Sequence, residues 1–144
     1  MVPEKSEQEA FYELSYYATA HPDPEFIQQY VVDAFAAQNA NETTKPITIT
    51  FALVGLYLHV EMNFTGKEVQ RAHMKLAKHK KLWPKFNLPE NRGNITVYDV
   101  IAAPKGFKRD EAIVEWCADV WAAYKESHNQ VVSLVRRELW PRKD

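Results

Sequence analysis

Four helix-start signals, spread from the first residues to position 99, constrain the fold of this chain more than any other feature. Ser6 with Glu9, and Thr65 with Glu68, have the spacing of a capping box, in which the hydroxyl accepts from a backbone amide and the carboxylate accepts from the N-cap amide. The other two signals are Asp23-Pro24-Glu25 and Thr96-x-x-Asp99. Apolar residues at helical spacing follow these starts, so the sequence predicts a succession of helices.

Residues 46–62 form the segment whose secondary structure is most open from sequence. The alternating, β-branched run Ile47-Thr48-Ile49-Thr50 is typical of a strand. The apolar character nevertheless continues for about fifteen residues, whereas a strand averages roughly 5–6. A helix that is apolar on nearly all sides is a buried helix. We therefore expect a central helix, with Gly55 on a small-residue face where a neighbour can approach closely.

Glycine content separates the fold classes further. The chain has only 4 glycines, against about ten expected from an average usage of roughly 7%, so tight turns are few and an all-β fold is disfavoured. A length of 144 residues fits a single domain. We predict an all-α fold: one helical domain over 1–144, a bundle of four long helices plus one short helix. The last long helix is expected to run from Lys108 to Leu139.

The net charge and the cysteine content limit which cellular compartment and which binding partners are expected. The formal net charge is −1, so no overall field favours nucleic acid or an anionic membrane. A single cysteine, Cys117, excludes an internal disulfide framework and a cysteine-based zinc site, and fits a reducing cytosol. The N-terminus lacks the pattern of a signal peptide, and the longest apolar run falls short of the roughly 20 residues of a membrane span. We expect a cytoplasmic protein without a membrane partner.

A basic segment covers Lys67–Lys85, with seven basic residues and one acidic residue. Basic residues next to aromatics such as Trp83 and Phe86 could bind single-stranded nucleic acid. The basic positions, however, fall on the helix face opposite Val69 and Leu76, as expected of a solvated face. We therefore expect no nucleic-acid partner.

Inward-facing histidines are the main candidates for a functional site. Burying an imidazole is costly unless it finds a hydrogen bond or a metal. In one interpretation each histidine has its own carboxylate, tyrosine or carbonyl partner. In the other, His21, His73 and His128 bind one metal ion, with Asp33 or Glu61 as a further ligand or general base and an open position for water. The candidate polar interior site comprises His21, Asp33, His59, Glu61, His73 and His128.

The two interpretations predict different functions. Separately bonded histidines indicate a cytoplasmic binding or interaction module with no cofactor and no catalytic residue, whose partner is an unknown protein or small molecule. A shared metal indicates a hydrolase-like enzyme that depends on one divalent ion. Several other chemistries lack their sequence patterns, namely the Glu-x-x-His repeats of di-iron bundles, the G-x-S-x-G turn of α/β-hydrolases and glycine-rich phosphate loops. We favour the binding module.

Several segments together resemble a known family. They are His21–Ile27, Val31–Ala34, Gly55–Leu58, Phe64–Met74, Trp83-Pro84 and the stretch from Trp116 to His128. In these segments the chain resembles a family of small uncharacterised bacterial proteins, a domain of unknown function. The resemblance covers about residues 10–140, which implies one whole domain. The family has no assigned activity, so the resemblance implies no catalytic residue.

Overall fold

The computed structural model describes residues 5–20, 25–78 and 83–140. Within these ranges every regular element is a helix, and the all-α prediction is confirmed for them. The α-helices are α1 (Glu7–Ala20), α2 (Gln28–Gln38), α3 (Pro46–Val60), α4 (Gly66–Ala77), α5 (Val97–Ala102), α6 (Phe107–Ala123) and α7 (His128–Glu138). None of these described helices has the length and apolar character needed to cross a membrane.

Helix α3 lies at the centre of the fold, as predicted. Pro46 occupies its first turn, where the missing amide is not needed. The helix packs against α2, α4, α6 and α7. Its buried residues lie on several sides of the helix, and they are Ile49, Thr50, Ala52, Leu53, Val54, Gly55, Leu56 and Leu58. The strand alternative for its first turns is therefore wrong.

The predicted long helix from Lys108 to Leu139 is interrupted, which corrects the expected count of four long helices plus one short helix. Helix α6 ends at Ala123, and a 3-10 turn over Lys125–Ser127 leads into α7. Tyr124 stands at this break, fully buried, and its hydroxyl donates to the Ala37 carbonyl on α2 at 2.6 Å. The buried tyrosine fixes the end of α6 against α2, and α7 then turns to pack on α3.

The connection before α2 also departs from the prediction. The Asp23-Pro24-Glu25 signal falls partly on residues 21–24, outside the described residues. Helix α2 begins only at Gln28, because Phe26 has a φ of 59°, a left-handed conformation that a helix cannot include. The strained turn packs on the start of α4. A Cβ atom on Gly66 would lie 2.7 Å from the Glu25 carbonyl oxygen, so glycine permits this approach.

The capping box at the start of α4 is confirmed. The Thr65 amide donates to Glu68 Oε1 at 2.9 Å, and the Glu68 amide donates to Thr65 Oγ1 at 3.2 Å. We expect Thr65→Ala to lower the free energy of unfolding by about 1 kcal/mol, because it leaves that amide without its acceptor. Glu68→Gln is the matched control, since glutamine can keep the reciprocal bond. Urea denaturation measures both, and an unchanged midpoint for Thr65→Ala would contradict the prediction.

Candidate functional site

Asp33, on α2, is the acidic residue that the described fold buries. Its exposed fraction is 4%, and its carboxylate packs against α3 at Gly55. A Cβ atom on residue 55 would lie 2.6 Å from Asp33 Cγ, so the absence of a side chain there makes the room that this carboxylate occupies. The small-residue face predicted on α3 thus receives a buried acid.

A chain of hydrogen bonds links Asp33 to His73 on α4. The Gln29 side-chain amide donates to Asp33 Oδ1 at 3.1 Å, and the same nitrogen lies 3.4 Å from His73 Nδ1. His73 Nε2 lies 2.7 Å from the Phe51 carbonyl oxygen. Because a carbonyl only accepts, Nε2 carries the proton and Nδ1 is the acceptor that faces Gln29. The result is an ordered polar network across three helices.

This network forms the floor of an open groove of about 340 Å³ between α2, α3 and α4. The walls are mostly apolar, and two of their residues, Val32 and Ile47, are 39% and 36% exposed. Its lining residues are Gln29, Val32, Asp33, Ala36, Ile47, Thr48, Phe51, Ala52 and His73. Apolar walls with a few converging polar groups are typical of small-molecule sites, which hold roughly 300–1,000 Å³.

Burial shifts both titratable groups of the groove toward their neutral forms. Burial raises the pKa of the Asp33 carboxyl well above its ordinary value, an effect that the hydrogen bond from Gln29 opposes. Burial lowers the pKa of His73, which the hydrogen bond to the Phe51 backbone opposes. No lysine or arginine is among the described residues that line the groove. The described lining therefore offers an acid without a lysine or arginine beside it.

His59 lies outside this network. Its ring stacks on Tyr30 with the ring centres 3.6 Å apart, and both ring nitrogens are buried without a hydrogen bond to any described residue. Burial lowers the pKa of His59, while the nearby Phe64 backbone has the opposite effect. This half-buried histidine therefore acts as a neutral aromatic ring that packs on Tyr30.

Glu61 and His128 belong to a third group, which is organised around Trp121 of α6. His128 Nε2 donates to the Trp121 carbonyl at 2.7 Å, and the two rings stack 3.7 Å apart. The Trp121 indole N–H donates to Glu61 Oε2 at 2.7 Å. His128 thus binds the end of α6 instead of facing His73.

The six residues predicted from sequence are thus divided among separate places. Asp33 and His73 line the groove, Glu61 and His128 both contact Trp121, and His59 stacks on Tyr30. His21 lies outside the described residues. Among the described residues no group of three or more His, Cys, Asp or Glu side chains is arranged to hold a metal ion.

Sequence reasoning missed Gln29, the residue that connects Asp33 to His73. Gln29 and Asp33 stand four positions apart on α2, and side chains at this spacing are neighbours on one helix face. That spacing is a usable signal for the Gln–Asp contact. The third member, His73, is 44 residues away from Gln29, so local spacing does not predict its position.

A larger recess of about 850 Å³ lies between the loop at 41–46 and the loop at 84–92. Among its charged side chains, Arg92 is already used for structure, because its guanidinium donates to the carbonyls of Pro89, Gln38 and Ala40. None of the titratable side chains among its described lining residues is buried, whereas Asp33 in the smaller groove is 4% exposed. The smaller groove above Asp33 is therefore the better candidate site.

Comparison with known proteins gives one match. The sequence profile of a family of unknown function (DUF5946) matches residues 4–125, a range that includes every residue lining the groove. No curated protein and no solved structure matches the chain significantly. The description of the family names no activity.

Proposed function

Because the chain belongs to this family of unknown function, we propose its role from the groove between α2, α3 and α4. We propose that the protein is a cytoplasmic helical binding module without catalysis of its own, and that this groove holds a small molecule. The observation that carries the proposal is the Asp33 carboxyl group, buried at the floor of an open and otherwise largely apolar groove.

The position of Asp33 is costly for folding. A buried carboxylate loses its hydration, and this loss is offset only by pairing and hydrogen bonding. Within the part of the chain that the structure describes, Asp33 accepts one hydrogen bond, from Gln29, and neither of the described ion pairs involves it. Residues that lower stability in this way cluster at functional sites. A binding role explains why an acid stands where an apolar residue would pack more stably.

The arrangement favours binding over catalysis because His73 has no free ring nitrogen. A general base or a metal ligand needs an available lone pair. In His73, Nε2 carries a proton directed at Phe51, and Nδ1 faces the Gln29 amide. The metal-dependent alternative further requires His73 and His128 to converge, whereas each has its own partner. We propose no metal and no other cofactor for this site.

The charge distribution supports a small-molecule partner over nucleic acid or a membrane. The net charge is −1, and the described lining of the groove holds an acid and no cation. Anionic phosphates would be repelled from such a site. We propose neither nucleic acid nor a membrane as partner.

Calorimetric titration with three probes of one shape, benzyl alcohol, benzylamine and benzoate, tests the proposed function. At least one should bind with a Kd of about 1 mM or below, as expected for a ligand of this size. Ala36→Phe should weaken binding roughly tenfold or more, because the added ring occupies the groove. Ala118→Phe is the matched control, since this alanine is exposed on α6 and does not line the groove.

The proposal is wrong if none of the three probes binds to folded protein. It is also wrong if a probe binds equally well to the Ala36→Phe and Ala118→Phe variants, because binding would then occur elsewhere. Circular dichroism of each variant checks that the helical fold is intact.

A further inference from the structure

We infer that the ligand of this groove is a protonated amine with a short apolar body, and that Asp33 pairs with its ammonium group. This inference rests on the proposed function, since it names the class of molecule that the groove takes. It is supported by Asp33, a buried acid at the floor of a groove with apolar walls. The described residues supply no counter-ion for this acid.

The surroundings of Asp33 contain no cation on any of the described helices packed around it. On its own helix the neighbour is Gln29, a neutral amide. On α3 it is Gly55, and on α6 it is Cys117, a buried thiol whose pKa is raised by burial and, to a lesser degree, by Asp33 itself. On α4 it is His73, reached through Gln29. A carboxylate has about four acceptor positions, and the described residues fill one of them.

His73 is poorly placed to become the missing cation. Its Nδ1 faces the side-chain nitrogen of Gln29, which also donates to Asp33. Protonating Nδ1 would set two N–H donors against each other, and turning the Gln29 amide to relieve this would remove the donor from Asp33. Asp33 is one of the residues that line the groove, so we place the external cation there, where it leaves the bond from Gln29 to Asp33 Oδ1 intact.

The shape and polarity of the groove define the rest of the ligand. An ammonium group supplies three donors, which suits a carboxylate with unused acceptor positions. The side chains of Val32, Ile47 and Phe51 then offer apolar contact to a short hydrocarbon body. Because Asp33 is only 4% exposed, the ammonium must give up much of its water, and a charge-assisted bond compensates for that loss.

Two probes of equal shape test this inference by calorimetric titration at pH 7.5, where benzylamine is protonated and benzyl alcohol is neutral. Wild-type protein should bind the amine at least about tenfold more tightly than the alcohol. Asp33→Asn should bring the ratio of the two dissociation constants to about one while the alcohol still binds. Glu111→Gln, which removes an exposed carboxylate of α6, should leave the wild-type ratio unchanged.

Measuring both affinities of the wild-type protein as a function of pH provides a test that does not depend on whether Asp33→Asn folds. Between pH 8 and pH 5 the affinity for benzylamine should fall, because protons compete for Asp33, while the affinity for benzyl alcohol should stay constant. Equal affinities for the two probes would overturn the amine inference and leave the proposed function standing. An amine preference that survives in folded Asp33→Asn would also overturn it. Failure of both probes and of benzoate would overturn the proposed function itself.

Discussion

Gly55→Ala is expected to destabilise the protein, although replacing glycine by alanine inside a helix ordinarily stabilises it by about 1 kcal/mol. The added Cβ atom would lie 2.6 Å from Asp33 Cγ, closer than nonbonded atoms approach. Overpacking of this kind costs roughly 1–3 kcal/mol, so we expect a net loss of about 1–2 kcal/mol. Asp33 can relieve the contact only by turning away from Gln29, since a single carbon joins its carboxyl group to the backbone.

A double-mutant cycle shows whether Asp33 is the cause. Asp33→Ala should open the space that residue 55 needs, so the pair Asp33→Ala/Gly55→Ala should be more stable than Gly55→Ala alone. The coupling energy should reach about 1–2 kcal/mol, within the range for residues in contact. Urea denaturation of the four proteins provides the values. A Gly55→Ala variant that is more stable than wild type would show that the carboxylate does not lie against α3.

Asp33→Asn is expected to stabilise the unliganded protein at pH 8, by an amount that disappears as the pH falls toward 4. Burial raises the pKa of the folded-state carboxyl above its ordinary value of 3.8, so the folded protein binds this proton more tightly than the unfolded chain does. The stabilisation linked to that proton is complete below 3.8 and is lost as the pH rises through the folded-state pKa. Asparagine stays neutral and avoids the loss.

The pH dependence must be compared between variant and wild type, because two histidines act in the opposite direction. Burial lowers the pKa of His59 and His73 below their ordinary value of 6.5, so both proteins lose stability as the pH falls below that value. Subtracting the wild-type curve from the Asp33→Asn curve leaves the contribution of Asp33. Denaturation midpoints at half-unit intervals from pH 4 to pH 8 supply both curves. A difference that is constant over this range would contradict a raised pKa.

Much of the helical architecture could be predicted because its signals are local. The capping box at Thr65 and Glu68 depends on residues three positions apart, and the central helix follows from an apolar run too long for a strand. The break before α7 could not be predicted in this way. It depends on Tyr124 reaching the Ala37 carbonyl, 87 residues away in sequence, while the apolar spacing continues across the break without interruption.

The candidate site was predictable to a smaller extent. Helical spacing predicts an inward face for His73, and Asp33 belongs to the predicted polar interior site, but periodicity gives a face and not a partner on another helix. The grouping of these two residues depends on the turn at Phe26 and on the close approach of Gly66, which together set α4 against the start of α2. The spacing of Gln29 and Asp33 indicates their contact on one helix face, but it does not indicate that the same amide also faces His73 on α4.

Intermolecular nuclear Overhauser effects between benzylamine and methyl-labelled protein test most directly whether the groove above Asp33 is a ligand site. The ring protons of the amine should give cross-peaks to the methyl groups of Val32, Ala36 and Ile47, which line the walls. The exposed methyls of Val114 on α6, outside the groove, should give none. Cross-peaks confined to methyls such as those of Val114, or their absence at saturating amine, would contradict a ligand site in this groove.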